Sequence, residues 1–81
     1  MFVNILMNQF SQFQRDHYGM EPSVIIAHPE TVKKLIKEVD EDITRSYLIS
    51  WCEMADRGLL RFRGVIIRRS IDIDVDIFEV F

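Results

Sequence analysis

The clearest periodicity in the chain lies between Pro22 and Val39, where an apolar run passes directly into a helical pattern. The run Val24–Ala27 is mostly β-branched, which is typical of a strand covered on both faces. Apolar residues then recur at i, i+3, i+4 and i+7, at Val32, Leu35, Ile36 and Val39. That spacing places them on one face of a helix.

His28 and Pro29 mark the boundary between these two elements. Proline has no amide hydrogen and its φ is already helical, so Pro29 suits the first turn of a helix. The residue before a proline is pushed towards extended backbone, which predicts that His28 ends the strand. We therefore interpret His28 as the point where a buried strand becomes a helix, and not as a catalyst.

Two further helices are predicted, one before and one after this unit. Met1 to Tyr18 is amphipathic, and Gly19 is placed to end it in a left-handed conformation. This helix either covers the protein's own sheet or docks on a partner or a membrane surface, and its single arginine argues against the membrane surface. A second amphipathic stretch runs from about Ile43 to Arg57, where Trp51 is expected to anchor the core, with a ligand platform as the alternative.

The C-terminal part of the chain alternates as β-strands do. Strands are predicted over Leu59–Arg63, Val65–Ile67 and Ile71–Val80, with Gly64 as a turn or bulge. The sequence therefore predicts a single compact two-layer α+β domain over residues 1–81. Its helices pack on a mixed sheet in the order α-β-α-α-β-β-β, with Val24–Ala27 central beside Val65–Ile67.

Composition limits the classes of function. The chain has 81 residues and is 48% hydrophobic, which is enough for one core and favours oligomerisation. Its net charge of −3 argues against a general nucleic-acid binder. The single cysteine, Cys52, excludes an intrachain disulfide and is expected to be an inert core thiol. No apolar run approaches the roughly 18 residues of a membrane span.

Two acidic groups are candidates for chemistry. Asp72, Asp74 and Asp76 would share one face of the last predicted strand, where they could bridge a divalent cation or simply keep an exposed edge soluble. Glu38 to Asp42 is predicted to be a solvated loop with a helix N-cap at Asp40 or Asp42. The Glu38–Asp42 run lacks the spaced ligands and the glycine of a calcium loop, and alternate residues of a strand such as Asp72, Asp74 and Asp76 do not converge unaided, so no metal site is expected.

A basic stretch precedes the predicted acidic strand. Arg61, Arg63, Arg68 and Arg69 could pair with Asp72, Asp74 or Asp76, either within one chain or between copies. The alternative is a small nucleic-acid-binding or regulatory module that uses Arg57 to Arg69. Aromatic residues are nearly absent from the arginine face, which argues against a single-strand binder.

No catalytic arrangement stands out. His17 and His28 are the only histidines, and the chain lacks a Gly-rich phosphate loop, a G-x-S-x-G motif and a C-x-x-C motif. We therefore expect neither enzymatic activity nor a cofactor. A Cys52–His28 pair remains as a minor alternative.

Two segments, Pro22–Val39 and Gly58–Val80, resemble a known family. They are similar to the A domain of HK97-type phage major capsid proteins and of the encapsulin shell proteins. The matching positions are Pro29, Thr31, Leu35, Gly64, Ile67 and Ser70. The chain lacks the length for the peripheral domain and extended loop of that family, and its size is similar to that of the truncated, A-domain-only encapsulin-like group.

The resemblance implies a structural protein with no catalytic residues. Its expected partners are copies of itself, together with a cargo or another shell or virion protein. The expected location is the cytoplasm, or a shell or virion. No membrane partner is expected.

Overall fold

Seven elements follow one another in a computed structural model that describes residues 1–81. They are α1 (Phe2–Asp16), β1 (Val24–Ala27), α2 (Pro29–Val39), α3 (Arg45–Asp56), β2 (Arg61–Phe62), β3 (Val65–Arg69) and β4 (Phe78–Val80). The predicted order α-β-α-α-β-β-β is confirmed. The predicted class, an α+β domain with helices packed on a mixed sheet, is also confirmed.

The four strands form one sheet in the order β2-β3-β1-β4. β1 pairs in parallel with β3, with Ile25 opposite Ile67, and antiparallel with β4, with Ile25 opposite Val80. The predicted central position of β1 beside β3 is therefore confirmed. Since β1 has a neighbour on each side, its backbone is tied into two ladders of hydrogen bonds.

The transition from β1 to α2 occurs at His28, as the sequence predicts. His28 has extended backbone, with φ −62° and ψ 145°, and its Nδ1 accepts a hydrogen bond from the amide of Glu30 at 3.1 Å. Pro29 then occupies the first helical position, where its missing amide hydrogen is not needed. His28 is thus the N-cap of α2.

All three helices cover the same face of the sheet, which we call the inner face. Ile25 and Ala27 of β1 are fully buried there, together with Val65, Ile67 and Phe78 of the neighbouring strands. Each helix adds apolar side chains to this cluster: Phe2 and Leu6 from α1, Val32, Leu35 and Ile36 from α2, and Leu48, Cys52 and Ala55 from α3. The prediction that α1 covers the protein's own sheet is confirmed.

Residues 71–77 differ from the prediction, since they form turns and not a strand. β3 and β4 lie on opposite sides of β1 and run in opposite directions, so the chain between them must cross the end of β1. Ser70 begins this crossing, because its amide bonds Ala27 O at 2.9 Å and its Oγ accepts from the Asp72 amide at 3.2 Å. The crossing uses the residues that the alternating pattern assigned to a strand.

The predicted strand Leu59–Arg63 is also shorter than expected. Only Arg61 and Phe62 pair with β3, and Arg63 and Gly64 both have left-handed backbone, with φ 51° and 84°. Two successive positive φ values define the tight hairpin turn that matches strand twist, and glycine adopts the second of them without steric cost. The turn predicted at Gly64 is confirmed.

Two predictions about α3 are wrong. Trp51 is 41% exposed and not a core anchor, because it lines an open groove between α2, α3 and β2 and is not enclosed by the core. Thr44, and not Asp40 or Asp42, is the N-cap of α3, with its Oγ1 accepting from the Tyr47 amide at 3.4 Å. Asp40 instead ends α2.

Glu38 joins α2 to the beginning of α1. Its carboxylate accepts hydrogen bonds from the amides of Phe2 at 2.7 Å and Val3 at 3.0 Å, and it pairs with the amino group of Met1. α1 has no side-chain cap of its own, so Glu38 supplies the acceptors that the first helical turn lacks. The amino group of Met1 and then these amides hold the pKa of Glu38 below its usual value.

Replacing Glu38 by Gln is expected to lower the melting temperature at pH 7. The lowered pKa means that the folded state favours the ionised carboxylate, so its stabilisation is present above the ordinary pKa near 4.5 and is lost as the pH falls through the folded-state value. The melting-temperature gap between wild type and E38Q should therefore shrink towards pH 3. Glu41→Gln, on the exposed loop after α2, is the matched control, and a gap that does not change with pH would contradict the assignment.

Candidate self-association surface

The four candidate arginines do not form one group. Arg61, Arg63 and Arg68 are exposed, whereas Arg69 lies on the inner face of the sheet with its side chain only 19% exposed. None of the four makes an ion pair with Asp72, Asp74 or Asp76 within the chain. Pairing of these groups between copies stays a prediction.

Arg69 pairs instead with Asp56 at the end of α3. Its Nε donates to Asp56 Oδ1 at 2.8 Å, and its Nη2 donates to Oδ2, so the contact is bidentate. This hydrogen bonding raises the pKa of the guanidinium and lowers the pKa of the Asp56 carboxyl. The pair fixes α3 to β3 and leaves Arg69 unavailable to a partner.

Cys52 lies beneath this pair and is 3% exposed. Burial raises the pKa of its thiol, which keeps it in the weakly nucleophilic protonated form. Arg69 is the side chain that faces the sulfur, and no hydrogen bond joins Cys52 to His28, whose Nδ1 caps α2. Cys52 is thus a core residue, as predicted. No group of three or more His, Cys, Asp or Glu side chains is placed to hold a metal ion.

The three candidate aspartates lie in the crossing loop, residues 71–77. Asp76 has left-handed backbone, with φ 67°, and its amide donates to the buried Oγ1 of Thr31 at 2.8 Å. Its carboxylate pairs with Lys34 at 3.0 Å, while Asp72 and Asp74 are exposed. The loop is therefore held against α2, and the aspartates do not form the predicted strand face.

The face of the sheet opposite the helices is uncovered. We call it the outer sheet face and define it by the side chains that alternate with the inner ones: Val24, Ile26, Arg61, Ile66, Arg68 and Glu79. The three apolar members are half-buried by their neighbours in the sheet and take no part in the hydrophobic core. The prediction that β1 is covered on both faces is therefore met on one face only.

Strand register orders this outer face. Ile26 lies opposite Arg68 of β3 on one side and opposite Glu79 of β4 on the other. In the next row, Ile66 lies between Val24 and Arg61. The result is an apolar centre with positive charge towards β2 and β3 and negative charge towards β4.

A second apolar feature lies between α2, α3 and β2. It is a groove of about 190 Å³ with Trp51 at its mouth and Val39, Ile43, Leu60 and Phe62 among its lining residues. Its apolar character follows from the three elements that form it, since each turns a hydrophobic side chain inward. Nothing in the structure shows what fills it.

Comparisons with known proteins add no assignment. No protein family, curated protein or solved structure matches the chain. The helices are all too short or too polar to cross a membrane. The function must therefore be argued from the surface chemistry and from the sequence resemblance.

Sequence reasoning missed several residues that the structure makes important. Glu79 was not among the candidates, although it is the acidic member of the outer sheet face. Asp56 and Lys34 were missed as partners of Arg69 and Asp76. Their separations of 13 and 42 residues follow no helical or strand period, so no local signal identifies them.

Replacing Thr31 by Val is expected to loosen the crossing loop. The change removes the acceptor of the Asp76 amide and should cost about 1–3 kcal/mol of unfolding free energy, because a partly buried donor is left unpaired. Urea denaturation would measure the loss, and hydrogen exchange at the Asp76 amide would localise it. Thr31→Ser keeps the hydroxyl and is the control: equally fast exchange in both variants would contradict the role of this hydrogen bond.

Proposed function

We propose that this protein is a structural component that associates with copies of itself. The observation that carries the proposal is its surface: fourteen large hydrophobic side chains are exposed, as many as the residues in the hydrophobic core. Isolated exposed hydrophobics are ordinary in monomers, but apolar residues that cluster indicate an interface. Grouping of the exposed hydrophobic side chains therefore decides whether they indicate an interface.

The crossing loop concentrates three of these exposed side chains in a short segment. Ile71, Val75 and Ile77 are 79%, 44% and 50% exposed, and all three lie within seven residues. They are not needed for the core, since Ile73 is the one aliphatic residue of the loop that is buried. An exposed aliphatic group next to the charged Asp72 and Asp74 is suited to a contact with an apolar centre and a polar rim.

The sequence resemblance to the A domain of HK97-type capsid and encapsulin shell proteins supports the same function. Its motif residues Pro29, Thr31 and Ser70 meet at one end of β1, where α2 begins and the crossing loop starts. We propose that the protein acts as an A-domain-like shell or virion component, in the cytoplasm or within such an assembly. A cargo or another shell protein would be a further partner.

Sedimentation velocity of the purified chain, from about 10 μM to about 1 mM, tests the proposal. We expect the mean mass to rise with concentration, because burial of the exposed apolar groups favours association. A strictly monomeric chain at the highest concentration would overturn autonomous self-association. Ile71→Asn and Ile77→Asn together should weaken it without loss of fold, and Ile73→Asn is unsuitable as a control because that residue is buried.

A nucleic-acid-binding module is the second candidate, and one observation favours it. Arg61, Arg63 and Arg68 are exposed and free of ion pairs, and the Arg63–Gly64 turn lies at the opposite end of β3 from the acidic loop. Asp72 and Asp74 are therefore separated from the Arg63–Gly64 turn by the length of β3, about 15 Å. Because this exceeds the Debye length at physiological salt, their repulsion of phosphates at the turn is largely screened.

Binding of labelled single-stranded DNA and RNA at low and moderate salt distinguishes the two functions. If the arginine turn binds phosphates, affinity should fall steeply between about 50 and 200 mM salt and should drop further in an Arg61→Glu, Arg63→Glu variant. We expect neither binding nor salt dependence from the self-associating protein. Measurable affinity that this variant removes would favour the second candidate.

A further inference from the structure

We propose that the outer sheet face binds the outer sheet face of a second copy, with Arg68 of each copy opposite Glu79 of the other. This pairing rests on the self-association proposed above and assigns it a contact surface in addition to the crossing loop. It specifies how the two copies are arranged, which surface they share, and that Arg68 and Glu79 are the residues that pair.

The first reason is that the face is apolar at its centre and uncovered. Val24, Ile26 and Ile66 form a β-branched patch on β1 and β3, and no helix reaches it. A strand that is apolar on both faces, as β1 is, is typical of a sheet covered on both faces. A second sheet packed face to face would supply that cover.

The second reason is that the charges of the face are divided. The backbones of Arg68 and Glu79 lie on either side of Ile26, each one strand away and therefore about 10 Å apart across the sheet, and the Arg68 guanidinium lies beside Gly58, just after α3. They form no ion pair with each other, and each is exposed. One half of the face is thus positive and the other half is negative.

Two-fold symmetry can place the positive half of one copy's outer sheet face opposite the negative half of the other copy's, so the face can bind itself. A two-fold axis that runs along β1, in the plane between two stacked sheets, exchanges the two halves of the face. It places Arg68 opposite the partner's negative half and Glu79 opposite the partner's positive half, twice in each pair. A two-fold axis across the strands would instead place arginine opposite arginine, so the charges select the first arrangement.

The same pattern argues for a second copy over other occupants. A nucleic-acid strand would meet Arg61 and Arg68 but would be repelled by Glu79. An acidic peptide would meet the same repulsion. A second copy supplies both signs of charge at the required separation, together with an apolar centre that matches Ile26.

The size of the face sets the expected strength. A face about 19 Å wide, from four strands at about 4.8 Å spacing, and at most about 13 Å long gives a total buried area on the order of 500 Å² for two copies. This is below the roughly 1,200 Å² of stable complexes, so the contact should be weak in isolation and additive with other contacts in an assembly. It must be sought at high protein concentration and low ionic strength.

Charge reversal tests the arrangement by sedimentation velocity at up to about 1 mM protein. Arg68→Glu and Glu79→Arg should each weaken association about tenfold or more, because each creates two like-charge contacts, and the double variant should restore it. Lys37→Glu and Glu41→Arg, exposed positions outside the outer sheet face, change the net charge equally and serve as controls. Circular dichroism confirms that each variant is folded.

Cross-linking provides a second measurement that does not depend on the charge variants. An Ile26→Cys chain should form a dimer with a short bismaleimide, since the two-fold axis brings this position close to its own copy. The wild-type chain is the control because its only thiol, Cys52, is buried. Absence of an Ile26→Cys dimer at a concentration where wild type associates would overturn the arrangement.

The outcomes separate this inference from the proposed function. If Arg68→Glu and Glu79→Arg associate as strongly as wild type, self-association stands and the outer sheet face is not its surface. If both single variants weaken association and the double variant does not restore it, the Arg68–Glu79 pairing is overturned. If wild type stays monomeric throughout, both the function and the interface are overturned.

Discussion

The fold depends on the placement of β1 between β3 and β4. Ile25 and Ala27 are fully buried because strands flank them on both sides and helices cover one face. The same short strand passes directly into α2 through the His28 cap, and its last carbonyl receives the amide of Ser70. A helix, two neighbouring strands and the crossing loop therefore all take their positions from four residues.

The uncovered face of the sheet follows from the same placement. β1 and β3 are parallel, so the chain between them must return across the sheet, and it does so through α2 and α3. Crossovers of this kind have one preferred hand, which sends both helices to one face. α1 is held to α2 by Glu38 and so joins them there. Residues 1–81 contain one crossover, and all three of their helices lie on the inner face.

Local periodicity predicted what local interactions determine. The α2 pattern, the proline boundary and the Gly64 turn are encoded by residues close in sequence, and each was placed correctly. The alternation from Ile71 to Val80 was misleading. Because β3 and β4 lie on opposite sides of β1, the chain between them must cross the end of β1, and this topological constraint overrides the strand propensity of these residues. The Trp51 prediction failed similarly, since its exposure depends on how α2 and β2 approach α3 around the groove that the indole lines.

The candidate surface shows the same division between local and non-local information. The basic residues were identified from composition, yet Arg69 is sequestered by Asp56 and only the register of β1 brings Arg68 and Glu79 into one row. An apolar patch of three β-branched side chains attracts any similar patch and specifies no orientation, because hydrophobic attraction is non-directional. Opposite charges placed one strand away on each side of Ile26 do specify one, since only one two-fold arrangement pairs them. In the proposed pair, orientation between copies would be determined by strand register, which the periodicity of a single sequence does not reveal.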